Sequence, residues 1–298
     1  MAAADLIIDI AGTGLTEAER VILNDPAIRG VILFTKNFKN NLQLIELINL
    51  IRSSTPNKLE ISVDQEGGRV QRFIDGFTRL PPLASYGEQW NSDPAKALAG
   101  AHNHGWVVGN ECAQTGIDVV YSPVLDLDHG VSEVIGNRAF HRDPEAVGQL
   151  GKAMMEGLHQ GGVTAVAKHF PGHGGVAADS HTEGAIDPRS REQLQQEMAP
   201  YQPLIDAGLR AVMMAHVQYP QLDPAEAGYS AFWVSELTNR LGFKGAIYCD
   251  DLSMAAAHTA GSLTERVNRA RQAGCTRLLI CNYSATEKAE LLDSLSAE

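Results

Sequence analysis

The 298-residue chain is short of positive charge: Lys and Arg number 24 against 36 Asp and Glu, a net charge of −12. That sign argues against nucleic acid or an anionic membrane as the main partner, because either favours a basic patch. Long hydrophobic runs are missing too. None approaches the roughly 18 residues of a membrane-spanning helix. The start, Met1-Ala2-Ala3-Ala4-Asp5-Leu6-Ile7-Ile8-Asp9, has no basic leader, and acids interrupt its apolar run, so no signal peptide is expected. Cysteine is scarce. Cys112, Cys249, Cys275 and Cys281 show no CxxC spacing and read as reduced, mostly buried thiols. Gly67-Gly68 and Gly174-Gly175 complete neither GxxxxGK[ST] nor GxGxxG, so a nucleotide-binding loop is unsupported.

Apolar content is ample, at 44% of the residues. Eight short β-rich runs fall at 6–10, 30–34, 60–64, 118–125, 163–169, 209–216, 245–250 and 277–281. Most are continuous rather than alternating, as in parallel strands buried on both faces. Helical patterns separate them, at 16–23, 42–53, 95–115, from Pro144 to about Gln160, and at 190–207, 230–241, 262–273 and 285–296. Thr16 and Glu19 form a capping box, and Pro94 and Pro144 occupy first helical positions. Alternation on this scale predicts an α/β fold, a (β/α)8 TIM-type barrel, with a doubly wound open sheet as the structural alternative. No linker or low-complexity segment interrupts the chain, so residues 1–298 read as one catalytic barrel domain.

In a barrel, reacting groups gather at the C-terminal ends of strands. Six successive runs deliver polar residues there: Asp64, Asp126 with Asp128, Lys168 with His169, His216, Asp250 with Asp251, and Asn282. Neighbours on a strand point to opposite sides. One of Asp250 and Asp251 therefore suits a nucleophile or base, and the other suits a cap on the helix that follows. Lys168, His169, Arg72 and Arg138 are a cationic set in an acidic protein. They either grip hydroxyls, a carbonyl or a carboxylate, or merely neutralise Asp64, Asp126 and Asp128.

After Lys168-His169 the chain breaks on Pro171 and on Gly172, Gly174, Gly175 and Gly184, which predicts a loop carrying His173, Asp179 and His181. In Asp179-Ser180-His181 a carboxylate stands two residues from an imidazole. Such a partner fixes the tautomer and leaves the second ring nitrogen to move a proton. Zinc is disfavoured. Pro171 and Gly172 prevent His169 and His173 from forming a helical i, i+4 pair, and His102 and His104 face different directions on a helix.

Several stretches together resemble the bacterial β-N-acetylglucosaminidases (β-N-acetylhexosaminidases) of glycoside hydrolase family three, the NagZ type. They are Asp64-Gln65-Glu66-Gly67-Gly68-Arg69-Val70-Gln71-Arg72, Ser122-Pro123-Val124-Leu125-Asp126, Val134-Ile135-Gly136-Asn137-Arg138-Ala139-Phe140, Lys168-His169-Phe170-Pro171-Gly172-His173-Gly174, Asp179-Ser180-His181 and Asp250-Asp251-Leu252-Ser253-Met254. The resemblance implies a single-domain barrel that removes terminal N-acetylglucosamine with retention. The missing signal peptide and spanning run, with the reduced cysteines, already read as a soluble cytoplasmic protein, and the resemblance implies a role in peptidoglycan recycling, on N-acetylglucosaminyl-1,6-anhydro-N-acetylmuramoyl peptides. By position, Asp250 matches the nucleophile, His181 the acid/base and Asp179 its partner. Asp64, Arg72, Arg138, Lys168 and His169 match residues that hold the sugar. A monomer acting on a small-molecule substrate, without cofactor or metal, is the resulting expectation. Cys249 and Asn137 depart from the residues common at those places, a Ser and an Asp.

Three other uses of the same residues stay open. Phosphate could replace water as attacker, since a histidine acid/base adds no like-charge repulsion. The barrel could bind sugar without catalysis. Lys168 could form a Schiff base, as in an aldolase. In the glycosidase reading the segment 170–175 acts as a hinge beneath the Asp179–His181 pair, so that the loop closes over the sugar.

Overall fold

The computed structural model describes residues 5–177 and 184–297. Eight parallel strands close into a barrel in which neighbours in sequence are neighbours in space. They are β1 (Asp5–Asp9), β2 (Ile28–Leu33), β3 (Glu60–Val63), β4 (Val119–Val120), β5 (Thr164–Phe170), β6 (Ala211–Met214), β7 (Ala246–Cys249) and β8 (Arg277–Ile280). The last strand closes on the first, with Asp5 opposite Arg277 and Ile8 opposite Ile280. A (β/α)8 barrel is therefore the architecture.

The continuous apolar runs follow from burial on both faces. In β1, Ile7 joins Ile32, Tyr121, Val166, Met213, Tyr248 and Leu279 inside the barrel. Leu6 and Ile8 point the other way, into the larger layer beneath the helices. Each such side chain contributes about 1.5–3 kcal/mol through burial.

The helix starts are set locally. Thr16 Oγ1 accepts from the Glu19 N–H at 3.2 Å while Glu19 Oε2 accepts from the Thr16 N–H at 2.8 Å. Asp93 caps Pro94–Thr115 and Asp143 caps Pro144–Gly161, each with proline in the first turn. Two expected elements differ. The helical pattern over 190–207 divides into Arg191–Met198 and Tyr201–Asp206. Pro200 lies at the break, lacking an N–H and crowding the preceding turn. The run over 118–125 is a strand only at Val119–Val120, and Val124 pairs again with Lys168 as an isolated bridge. Pro123 between them has no N–H to give a ladder. All four cysteines are free and buried. Among the described residues no helix is long and apolar enough to cross a membrane.

Candidate active site

A cavity of about 550 Å³ opens at the C-terminal end of the strands. Its lining includes barrel-interior side chains, Ile32, Tyr121, Met213 and Leu279. Asp64, Arg72, Arg138, Lys168, His169 and Asp250 line the same cavity, so six expected site residues from distant parts of the chain converge. Asp179 and His181 lie outside the described residues.

The first part of the site is a tight fold-back after β3. The short strands Gln65–Gly67 and Val70–Gln71 pair antiparallel. Gly67 and Gly68 take φ of 97° and 56°, left-handed values that favour glycine. A Cβ on Gly67 would also stand 2.6 Å from His104 Cε1. The turn returns Arg72 to Asp64, where Nη2 reaches Oδ2 at 3.2 Å. Asp64 and Glu66, two apart on extended chain, share a side.

Both carboxylates meet the cation from β5. Lys168 Nζ is 2.7 Å from Asp64 Oδ1 and 2.7 Å from Glu66 Oε1. Glu66 also takes a two-pronged bond from Arg138, with Nε at 2.8 Å and Nη2 at 2.7 Å. Burial by itself would raise both acids, but the cations prevail. Asp64 is held well below the usual carboxylate range by Lys168 and Arg72, and Glu66 is lowered to about 2 by Arg138 and Lys168. Two anions against three cations form a charged floor, fixed before any ligand enters. Arg138 thus pairs with Glu66 rather than with Asp64, Asp126 or Asp128.

His169 is oriented from behind. Its Nδ1 lies 2.7 Å from Asp126 Oδ2, so that nitrogen donates and the orientation of the ring is fixed. Asp126 is fully buried and also accepts from the His173 N–H at 2.7 Å. Burial opposes its charge, yet His169 and His173 bring its pKa down to about 2. The segment expected to hinge is consequently packed. Phe170 and His173 are buried, Tyr219 Oη donates to the Gly172 carbonyl at 2.8 Å, and a Cβ on Gly174 would stand 1.8 Å from the Leu127 carbonyl oxygen.

The two acids after β7 divide their work. Asp251 Oδ1 accepts from the Ser253 and Cys281 N–H groups, each at 3.0 Å, and ties β7 to β8. Asp250 Oδ1 accepts from the Asp251 N–H at 2.8 Å. Among the described residues no group of three or more His, Cys, Asp and Glu is placed to hold a metal ion.

With this geometry in view, the family described as glycosyl hydrolase family 3 N terminal domain matches residues 7–297. The chain belongs to glycosyl hydrolase family 3. A beta-hexosaminidase from Nitrosomonas eutropha is 49% identical over 295 residues, covering 98% of this chain and 84% of that protein. A beta-hexosaminidase from Thioalkalivibrio sulfidiphilus is 46% identical, covering 100% of this chain and 86% of its own. NagZ from Neisseria gonorrhoeae, in complex with N-trifluoroacetyl-D-glucosamine, superposes with a TM-score of 0.90 at 45% identity, over 99% of this chain and 84% of that one. The family 3 chain is a glycoside hydrolase of the bacterial β-N-acetylhexosaminidase, NagZ type.

Sequence reasoning about this family 3 enzyme missed Glu66 as a site residue and the orienting role of Asp126. The same-side spacing of Asp64 and Glu66 was the available signal. Nothing local announced that Asp126 would stand behind His169.

Proposed function

We propose that the enzyme is a retaining exo-β-N-acetylglucosaminidase, with residues 1–298 as one catalytic domain. It acts in the cytoplasm as a monomer, on N-acetylglucosaminyl-1,6-anhydro-N-acetylmuramoyl peptides released during peptidoglycan recycling. The observation that carries this reading is the convergence of Asp250 with Asp64, Arg138, Lys168 and His169 on one cavity in a family 3 barrel. The fixed cations and carboxylates present donors and acceptors at set positions, which suits a polyhydroxylated ring.

In this mechanism Asp250 attacks the anomeric carbon and forms a covalent glycosyl-enzyme. His181, as imidazolium, gives its proton to the leaving oxygen. As neutral imidazole it then takes a proton from the incoming water, and the released carboxylate leaves the sugar with its configuration retained. Asp179 orients the ring and stabilises its charged form. The Asp251 N–H keeps Asp250 Oδ1 aimed, so the carboxylate need not reorganise as it reacts.

The test is incubation with a 5-fluoro-N-acetylglucosaminide, followed by mass spectrometry of the labelled peptide. Label on Asp250 is expected, and label on another residue overturns the assignment. Turnover in phosphate and in a non-nucleophilic buffer should give free N-acetylglucosamine in both. Sugar-1-phosphate in the former would make the enzyme a phosphorylase.

A further inference from the structure

We propose that His216 is a positioning residue for the nucleophile, acting through a single peptide plane. The proposal rests on the reading of Asp250 as the attacking group. His216 lies two residues beyond β6, is 1% exposed and does not line the cavity. Its Nε2 is 2.9 Å from the main-chain carbonyl oxygen of Asp250. A carbonyl only accepts, so Nε2 carries a proton and donates it to this oxygen.

The Nδ1 of the same ring is buried and has no hydrogen-bond partner among the described residues. An unpaired buried polar atom is unfavourable, and an apolar ring of the same size would avoid it. The fold therefore tolerates the imidazole for what the other nitrogen does. The ring is also hemmed in. Tyr229 packs with its centroid 5.4 Å away, and Cys249 Sγ is 4.0 Å from Nε2. A Cβ on Gly228 would come within 2.7 Å of the Cys249 sulfur and 3.5 Å of His216 Cε1, so a glycine there permits the close approach.

The carbonyl of Asp250 and the N–H of Asp251 are two ends of one planar peptide unit. The N–H end donates to Asp250 Oδ1 at 2.8 Å. The N–H of Asp250 itself reaches the Met214 carbonyl only at 3.4 Å. Holding the carbonyl end thus sets the rotation of the plane, and the plane sets the aim of the carboxylate. Release of that end would let the unit rotate and the attacking oxygen drift, and ångström-scale misplacement of a reacting group costs up to about 100-fold in rate.

The experiment compares His216→Phe and His216→Gln with the unaltered enzyme. Phenylalanine fills the space, removes the unpaired nitrogen and has no donor, whereas glutamine keeps an N–H donor. The readout is the rate at which a 5-fluoro-N-acetylglucosaminide labels Asp250, with the amplitude of labelling counting folded sites. His216→Phe should retain thermal stability, keep KM within about two-fold and lose on the order of 10- to 100-fold in kcat and in labelling rate. His216→Gln should recover much of that loss. A His216→Phe labelling rate per folded site equal to that of the unaltered enzyme, or a His216→Gln rate no higher than that of an impaired His216→Phe, overturns the proposal. Label on a residue other than Asp250 in the unaltered enzyme would instead remove the reading it rests on.

Discussion

Glu66 Oε1 lies 2.7 Å from Lys168 Nζ, and both side chains are nearly inaccessible to solvent, Lys168 in the cavity lining and Glu66 outside it. The pair joins the turn after β3 to the end of β5, and Arg138 fastens a third segment to it. Two of the residues proposed to grip the sugar therefore depend on one carboxylate that need not touch it.

Glu66→Gln keeps the shape and removes the charge. Lys168 then keeps Asp64 as its partner while Arg138 loses its ion pair, and breaking a buried pair costs about 3–5 kcal/mol. The variant should unfold at a lower temperature and lose at least about ten-fold in kcat/KM, since the cations lose their fixed geometry. Thermal melts and steady-state kinetics check both. An unchanged kcat/KM would mean that Arg138 and Lys168 keep their positions without the Glu66 charge.

The same contacts set the acid limit of stability. Glu66 and Asp126 are lowered to about 2 in the folded protein, against about 4 in an unfolded chain. A lowered carboxylate pKa stabilises the fold fully above the unfolded value and loses that effect as pH falls through the folded one. For Glu66 the loss is on the order of 3 kcal/mol. His104 adds an earlier slope. Burial lowers it to about 4, so below about 6.5 the unfolded chain takes up a proton that the folded one refuses. Unfolding temperature should sag gently between about pH 6.5 and 4 and steeply from about 4.5 to 2. His104→Gln should flatten the first part, and Glu66→Gln the second.

Gly174 and Gly184, on either side of Asp179 and His181 in the sequence, should respond differently to the same change. A Cβ on Gly174 would overlap the Leu127 carbonyl oxygen at 1.8 Å, next to the main chain that carries Asp126. A Cβ on Gly184 would have no heavy atom of the described residues within 4 Å. Gly174→Ala should cost about 1–3 kcal/mol and impair turnover. Gly184→Ala should stay within about 0.5 kcal/mol. Equal melting curves for the two would show that the contact with Leu127 is easily relieved.

His181 is proposed to protonate the leaving oxygen, a task worth on the order of 10² to 10⁴ in rate. A leaving group that departs readily needs little of that help. His181→Ala should therefore lose far less on a p-nitrophenyl glycoside than on a sugar aglycone. Matching losses on the two substrates would argue against His181 as the acid.

The sequence by itself determined the alternation of buried parallel strands and helices, while closure into a barrel rather than an open sheet was decided by the pairing of the last strand with the first. Uninterrupted runs such as Leu6-Ile7-Ile8 must bury both faces, and caps at Thr16, Asp93 and Asp143 fix where helices begin, all by local chemistry. It also determined the strand ends on which Asp64, Lys168, His169 and Asp250 would meet, because the C-terminal end of each strand follows from chain direction. Only the tertiary structure decided who pairs with whom. Arg138 reaches Glu66 across 72 positions, Lys168 reaches Asp64 across 104, and Asp126 reaches His169 across 43. Such partners are chosen by barrel closure and loop packing, which no local spacing encodes. The segment 170–175 shows the same limit: its glycines read as freedom to move, whereas packing against Leu127, Tyr219 and Asp126 makes them the condition for a close fit.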